Sequence, residues 1–389
     1  MSGTAITSPP RERLMALDGL RGVAALVVVL FHSMLVLPSL ADLVAHGTRV
    51  SGWQAWVSYT PLRLLWSGEE AVQIFFVLSG LVLALPYRGR LFTPVTYYPR
   101  RLLRIYLPVW ASVGLALLWA QLVPRVWTPG ASWWVNGHHF HLSAAGLGGD
   151  LTLLLGTTWL NSVLWSLRWE MWFSLLLPLY LLLLLRWRRR PLLKLLLLLG
   201  AIEAGALLHV DELRYLPVFG VGVLVATELD RLGALLRRAG RLGGLALLTL
   251  ALLVLAESRW LTGQSVSPAS VLAAAALVVL FAHWRPAQRL GEHRTVQWLG
   301  TVSFSLYLVH EPVITSVALV LPSQNPAVTL ALGLPASLLL AAGFHRVVER
   351  PAHRLSRWAG TVAAQLAQRR PAEARPQSSV LTRRAGTPT

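Results

Sequence analysis

The sequence predicts an all-α membrane protein, a bundle of about ten transmembrane helices with both termini in the cytoplasm. Three observations lead to this prediction. Of the 389 residues, 55% are hydrophobic and only 13% are charged, whereas soluble proteins carry about 25% charged residues. Ten segments are apolar enough and nearly all long enough to cross the hydrocarbon core as helices. The basic residues collect in every second connection between these segments, which is the pattern of cytoplasmic loops.

The ten segments follow one another along most of the chain. They lie at 14–37, 68–87, 105–123, 164–185, 192–210, 213–229, 242–256, 266–284, 297–320 and 326–346. Residues 144–160 are apolar too, but they follow a polar loop and lead directly into the fourth segment. We therefore expect a re-entrant or interfacial helix at 144–160 rather than another span.

The distribution of charge predicts the orientation. With the N-terminus inside, 29 of the 35 Lys and Arg residues fall on the cytoplasmic side, as the positive-inside rule requires. The formal net charge of +18 is then mostly a consequence of topology, and a nucleic-acid partner is not needed to explain it.

The two ends differ in composition from the domain at 13–355. Residues 1–12 are polar and include a Pro pair, and residues 356–389 are rich in Arg, Pro, Ser and Thr. We expect both to be disordered cytoplasmic arms, the second of them basic enough to contact anionic lipid headgroups.

The composition also limits the chemistry. The chain has no Cys, which excludes disulfides, a Cys-ligated zinc site, an iron–sulfur cluster and a thiol nucleophile. His138, His139 and His141 lie close together in the longest outer loop, but their spacing is loose. We expect an exposed loop there and no metal site.

The first predicted span, LDGLRGVAALVVVLFHS, carries ionisable side chains that are costly inside a bilayer and therefore mark a candidate site. Arg21 and His32 are eleven residues apart, which is close to three helical turns, so they share one face about 16 Å apart along the axis. Asp18 precedes Arg21 by three residues and can pair with it. One face thus presents a cation near the cytoplasmic mouth and a titratable imidazole deeper in the membrane. The alternative for His32 is a structural hydrogen bond to a neighbouring helix.

Two arginines stand at the cytoplasmic start of the third span, in PRRLLRIYLP. Arg101 and Arg104 are three residues apart and are therefore neighbours on a helix. Two adjacent guanidinium groups suit a phosphate or pyrophosphate. Plain positive-inside anchoring explains the same pair and is the simpler interpretation when the pair is taken alone.

Two further spans carry polar side chains on one face. In WSLRWEMWFSLLLP, Ser166 and Glu170 are four residues apart, and an intramembrane carboxylate can orient or deprotonate an imidazole. In LGTVSFSLYLVHEP, Ser303, Tyr307 and His310 share a face. Tyr307 and His310 can hydrogen-bond a polar acceptor substrate. Hydrogen bonds between helices explain both groups equally well.

Five sequence blocks carry a resemblance to a known family. They are LDGLRGVAALVVVLFH, IFFVLSGLVLA, RRLLRIYLPVW, WSLRWEMWFSLLLP and SFSLYLVHEP followed by VVERP. In this order the chain resembles the acyltransferase-3 family of integral membrane acyltransferases over about 13–355. The family's motifs Arg-x10-His, Arg-x-x-Arg and Ser-Leu-x-x-Glu fall on Arg21 and His32, Arg101 and Arg104, and Ser166 and Glu170.

The resemblance implies an enzyme of a bacterial cell membrane that moves an acyl group, by default acetyl, from cytoplasmic acyl-CoA to a hydroxyl. The acceptor in such proteins is a carbohydrate or a glycosylated metabolite, and no bound cofactor is implied. We expect His32, as general base, and Glu170, as a group that orients or stabilises its ring, to be catalytic. The expected substrate-binding residues are Arg21, Arg101, Arg104, Ser166, Tyr307, His310 and Asp18. In a variant of this mechanism His32 is itself acylated first.

The sequence departs from the family pattern at two positions. Gln73 stands where the family often has an acidic residue, and Ser174 stands where a Tyr is common.

Two other classes of function fit a bundle of this size. A transporter that exports a polysaccharide or small molecule also has many helices with buried charge, but the sequence lacks paired halves with broken helices. A non-catalytic receptor or scaffold is the second alternative. Dependence on CoA separates the enzyme from both, whereas the acceptor and the acyl chain length stay open.

Overall fold

The computed structural model describes residues 11–139, 141–186, 189–264, 266–321 and 325–369, and the regular secondary structure in these residues is all helical. The first eight helices are α1 (Arg11–Met34), α2 (Pro38–His46), α3 (Gly52–Tyr59), α4 (Gly68–Ala84), α5 (Pro94–Leu122), α6 (Trp133–Gly137), α7 (Ala144–Thr152) and α8 (Leu164–Tyr180). The others are α9 (Pro191–Leu208), α10 (Asp211–Thr262), α11 (Pro268–His283), α12 (Arg285–Gly291), α13 (Arg294–Val320), α14 (Pro326–Phe344) and α15 (Arg350–Arg369).

Eight helices in the described part of the chain are long and apolar enough to cross a membrane. The count becomes nine if α11 and α12, which meet at an angle of 88°, form one broken span. The number ten and the cytoplasmic position of both termini stay predictions. Each predicted segment nevertheless coincides largely with one of these helices.

Helix α10 shows why the number of membrane spans does not equal the number of helices. It has 52 residues, and a straight helix of that length would measure about 78 Å, more than twice the hydrocarbon core. The backbone leaves the helical region at Gly240, where φ is 69° and ψ is −161°. Glycine tolerates this positive φ because it has no Cβ. The predicted spans 213–229 and 242–256 lie on either side of this break.

The C-terminal end differs from the prediction. We expected a disordered tail from residue 356, but α15 continues to Arg369, so the expected boundary lies inside a helix. Ala352, Ser356 and Gly360 recur every four residues and are buried, because this narrow face of small side chains packs against α5. Residues 370–389 and 1–10 of the predicted arms lie outside the described residues, and residues 11 and 12 belong to α1.

The segment 144–160 does not form a span. Its helix, α7, has nine residues, about 13 Å, and a loop follows it. Both carboxylate oxygens of Asp150 accept hydrogen bonds from Thr158, one from the backbone N at 2.7 Å and one from Oγ1 at 2.6 Å. Burial raises the pKa of Asp150, and these two hydrogen bonds only partly offset that rise.

Helices α1, α4 and α13 form the centre of the bundle, and α1 packs against both of the others. The backbones of α1 and α13 approach closely because Gly22 faces Gly300. A Cβ on Gly22 would lie 2.6 Å from the carbonyl carbon of Leu299 and closer still to the backbone N of Gly300. This glycine contact sets the distance between the polar side chains that α1 and α13 carry.

Candidate active site

One cavity of the bundle is dominated by basic side chains. It has an empty volume of about 710 Å³ and lies between α1, α4, α5, α8, α13 and α15. Its lining residues with polar side chains are Arg21, Ser79, Arg101, Arg104, Ser166, Glu170, Ser303, Tyr307, Glu349 and His353. We call it the basic cavity. Arg21, Arg101 and Arg104, predicted from three separate motif positions, therefore face one space.

Glu170 pairs with an arginine in this cavity. Its Oε1 lies 2.5 Å from Nη2 of Arg101 and accepts a 3.2 Å hydrogen bond from Oγ of Ser79. Nε of Arg101 donates to Oγ of Ser174 at 3.0 Å. We expected Glu170 to orient the ring of His32, but in the structure its carboxylate pairs with Arg101. The ring of His32 is hydrogen-bonded to His310 instead.

The other two arginines of the cavity are held less firmly. Nε of Arg21 donates to Oγ of Ser303 at 3.1 Å, and Nη2 of Arg21 lies 3.4 Å from Oδ1 of Asp18, as the three-residue spacing predicted. Within the described residues, Arg104 makes no hydrogen bond or ion pair, and its side chain is exposed. It is therefore available for an anion without first breaking an internal contact.

Glu349 closes the basic cavity on the side of α15. It is the last residue of a π-helical segment, His345–Glu349. Its Oε2 accepts from Oγ of Ser305 at 2.5 Å and lies 3.0 Å from Nδ1 of His345. His353 approaches its other oxygen at 3.7 Å. Over the residues that the structure describes, no three His, Asp or Glu side chains are grouped so as to hold a metal ion.

A second cavity has a lining in which aromatic side chains are the largest group. It has an empty volume of about 1240 Å³. Its aromatic and histidine lining consists of Phe31, His32, Phe76, Trp133, Trp134, Trp159, Trp165, Tyr215 and Tyr307. We call it the aromatic cavity. Gln73 also lines it, so a position at which the sequence departs from the family pattern lies beside this space.

The two cavities meet at Phe76 and Tyr307, since both residues line both spaces. The hydroxyl of Tyr307 lies 2.6 Å from Oγ of Ser166, so the junction also presents a polar pair from α13 and α8. The structure thus brings Ser166 and Tyr307 together at the boundary between a cationic space and an aromatic one.

The hydrogen bonds around His32 assign the tautomers of two neutral imidazoles. Nδ1 of His310 lies 2.9 Å from the carbonyl oxygen of Leu306, which only accepts, so Nδ1 carries the proton and Nε2 is an acceptor. Nδ1 of His32 lies 2.9 Å from that Nε2 and must therefore donate. The second nitrogen of His32, Nε2, then has a free lone pair, and it makes no hydrogen bond with the residues that the structure describes. Because His32 lines the aromatic cavity, this nitrogen has the properties of a general base.

Sequence reasoning missed the partnership of His138 and Glu311. We expected His138 in an exposed loop, but both side chains are fully buried, and Nε2 of His138 lies 2.5 Å from Oε1 of Glu311. Nδ1 of His138 donates to the carbonyl oxygen of Trp134 at 2.8 Å. The available signal was Glu311 itself, an intramembrane carboxylate that needs a partner.

The comparisons with known proteins give one family. The family described as an acyltransferase domain, that of the acyltransferase-3 enzymes, matches residues 15–346, which include every side chain of both cavities except His353 and Glu349. No curated protein and no solved structure matches the chain.

Proposed function

Because the chain belongs to the acyltransferase-3 family, we propose that it is a membrane O-acyltransferase that moves an acyl group from acyl-CoA to a hydroxyl of a carbohydrate or glycosylated acceptor. One observation carries the proposal. A cavity with three guanidinium groups meets an aromatic cavity with an available imidazole nitrogen, and the same two residues, Phe76 and Tyr307, line both.

The basic cavity is the donor site. The phosphates of coenzyme A bind Arg104, which has no hydrogen-bond or ion-pair partner among the described residues, and Arg21, whose pairing with Asp18 is partly exposed to solvent. Charge-assisted hydrogen bonds from guanidinium groups to phosphate are among the strongest that proteins make. Arg101 is already neutralised by Glu170, so this pair shapes the cavity and adds less net charge than the sequence suggested. The thioester then extends toward the junction at Tyr307.

The aromatic cavity is the acceptor site. Its aromatic walls offer flat apolar surfaces, and polar side chains such as Glu69, Gln73 and Ser162 stand among them; in ligand sites such polar groups fix the orientation of the ligand. A sugar ring can lie with its C–H face on such walls and direct one hydroxyl at Nε2 of His32.

The transfer balances without another reagent. His32 Nε2 takes the proton of the acceptor hydroxyl while the oxygen attacks the thioester carbonyl carbon. The tetrahedral intermediate collapses, the C–S bond breaks and the ester is formed. The imidazolium returns its proton to the leaving thiolate, which gives free CoA. General base catalysis of this kind contributes about 10²–10⁴-fold to the rate.

The proposal is tested by transfer of labelled acetyl from acetyl-CoA in membranes that contain the protein. The variant His32→Ala is compared with His46→Ala, which removes an exposed imidazole outside both cavities. We expect His46→Ala to retain transfer and His32→Ala to lose it while still binding CoA. Transfer at the wild-type rate by His32→Ala would refute the assignment of the base.

The same experiment separates the alternatives. No transfer by the wild-type protein with any acyl-CoA, together with transport of a labelled glycan, would favour a transporter. Label trapped on His32 when acceptor is withheld would support the variant in which the imidazole is acylated first.

A further inference from the structure

We infer that Trp134 and His138 form a clamp that holds the His32 ring in its reactive orientation, and that both are positioning residues. The inference rests on the proposed function, because it assigns a role through His32. It concerns α6 and the residue that follows it, a segment that the sequence indicated only as part of a polar loop.

Trp134 covers one side of the His32 ring. The two ring centroids are 5.3 Å apart and the planes differ by 16°, which is a stacked arrangement. His310 lies at 5.1 Å with an angle of 25° and also holds Nδ1 of His32. The imidazole is therefore held by an indole on one side and, at its Nδ1 edge, by a second imidazole, which leaves its Nε2 edge for the acceptor.

The contacts around His32 form a closed ring of five residues. His32 contacts Trp134, whose carbonyl oxygen binds Nδ1 of His138. His138 binds Glu311 through Nε2, and Glu311 is the chain neighbour of His310, which returns to His32. Two consecutive residues of α13 thus fix the base: His310 binds its Nδ1 directly, and Glu311 acts through His138 and Trp134.

The clamp depends on the pairing of His138 with Glu311. Helix α6 has only five residues, and a helix of that length is not stable by itself. Its start is capped by Ser132, which accepts from the backbone N of Val135 at 3.2 Å, but this cap is local. Trp134 and Val135 are buried in the core, and the buried pair with Glu311, which also accepts from the backbone N of Val163 at 2.9 Å, adds a polar attachment of the segment to the rest of the bundle.

The stack has a chemical consequence besides orientation. When His32 takes the acceptor's proton it becomes a cation on the face of an indole, the best of the aromatic rings for a cation–π interaction. At a desolvated site this interaction is worth about 2 kcal/mol, or about thirtyfold in rate at 1.36 kcal/mol per tenfold. Because it acts on the charged form only, it raises kcat and leaves donor binding unchanged.

The first test compares two replacements of Trp134 under the transfer assay. Trp134→Met keeps an apolar side chain without an aromatic face, and Trp134→Phe keeps the face. We expect kcat to fall about thirtyfold in Trp134→Met with an unchanged KM for acetyl-CoA, and Trp134→Phe to stay within about threefold of wild type. Trp127→Met is the matched control, because Trp127 is exposed and outside both cavities.

The outcomes separate the clamp from the function. If the wild-type protein transfers no acyl group, the proposed function fails. If it transfers and Trp134→Met has the kcat of the control, the clamp is refuted. If Trp134→Met is not recovered folded, Trp134→Phe decides alone, since a loss of more than tenfold in that variant contradicts a role for the aromatic face.

The second test is a double-mutant cycle on the buried pair. His138→Leu and Glu311→Leu each leave the other side chain of the pair buried without its partner, whereas the double variant leaves neither side chain of the pair unpaired. We expect each single change to lower kcat at least tenfold and the double variant to lose less than the product of the two. Independent losses that multiply would show that His138 and Glu311 do not act as one unit.

Discussion

The glycine contact between α1 and α13 gives the most demanding prediction, because it links packing far from the base to catalysis. In Gly22→Ala the new Cβ would lie 2.6 Å from the carbonyl carbon of Leu299, where ordinary van der Waals contact begins near 3.4 Å. The two helices must separate by at least the difference, 0.8 Å, and the obstacle is backbone, which cannot rotate away. Overpacking of this kind costs about 1–3 kcal/mol of stability.

The same displacement reaches the base. Helix α1 is continuous from Arg11 to Met34, and tightly packed interiors transmit strain. If the full displacement of 0.8 Å reaches His32, the 2.9 Å hydrogen bond between His32 and His310 lengthens to 3.7 Å, and no hydrogen bond remains at that distance. A misplacement of about 1 Å in an active site can lower the rate about a hundredfold. We therefore expect Gly22→Ala to lose about one to two orders of magnitude in kcat.

The assay measures acetyl transfer and thermal unfolding in detergent for Gly22→Ala and for Gly114→Ala. Gly114 lies inside α5 and a Cβ there would meet nothing within 4 Å, so the control adds the same methyl group to a helix without a clash. We expect the control to be as active as wild type and more stable by about 0.8–1 kcal/mol, since Ala favours helix over Gly. Equal activity and stability of the two variants would refute the argument that this contact sets the geometry of the site.

Three further predictions concern single side chains. Glu170→Gln should lower the free energy of unfolding by about 1–3 kcal/mol, which is less than for a fully buried pair because the carboxylate is 22% exposed. It should also change the KM for the acyl donor more than kcat. A hundredfold loss of kcat at constant KM would mean that Glu170 acts on the base rather than on Arg101. Arg104→Ala should raise the KM for acetyl-CoA about tenfold or more and leave the KM for the acceptor unchanged. Steady-state kinetics with each substrate varied in turn would measure both; a raised KM for the acceptor with an unchanged KM for acetyl-CoA would contradict the phosphate role. Burial raises the pKa of Asp150, so its charged form is disfavoured in the folded segment. The stability of 144–160 should therefore fall as the pH rises from the ordinary aspartate pKa of 3.8 through the higher pKa of the folded state. Hydrogen exchange in that segment should show this dependence and should lose it in Asp150→Asn, which keeps an acceptor for Thr158 without a charge.

The sequence predicted the helices well where hydropathy is a sufficient signal. Every predicted span overlaps a helix, because a run of apolar residues of that length has few other stable structures in a bilayer. The break at Gly240 agrees with the two spans predicted around it. The end of the last helix was harder to predict from hydropathy, because α15 packs through small residues such as Ala352 and Gly360, which contribute little to hydropathy.

The part of the site that lies on single helices was predictable from helical periodicity. Residues on one helix have a fixed relative position, so the spacing of Arg21 and His32 indicated a common face, and the pairing of Arg21 with Asp18 followed from a separation of three residues. Contacts between helices carry no such periodicity. The sequence therefore did not show that Glu170 faces Arg101, or that His310 is the partner of His32.

By itself the sequence determined that this is an all-helical membrane protein of the acyltransferase-3 type, with basic and polar groups on particular helix faces. Only the tertiary structure decided which of these faces meet. His138 lies in a loop, where neither hydropathy nor periodicity restricts its position, yet it is buried against Glu311 from a helix 173 residues away in the chain. The physical reason is that local propensity and the bilayer fix each helix separately, whereas the partners of buried charges are fixed by packing between elements distant in sequence, such as the glycine contact of α1 with α13.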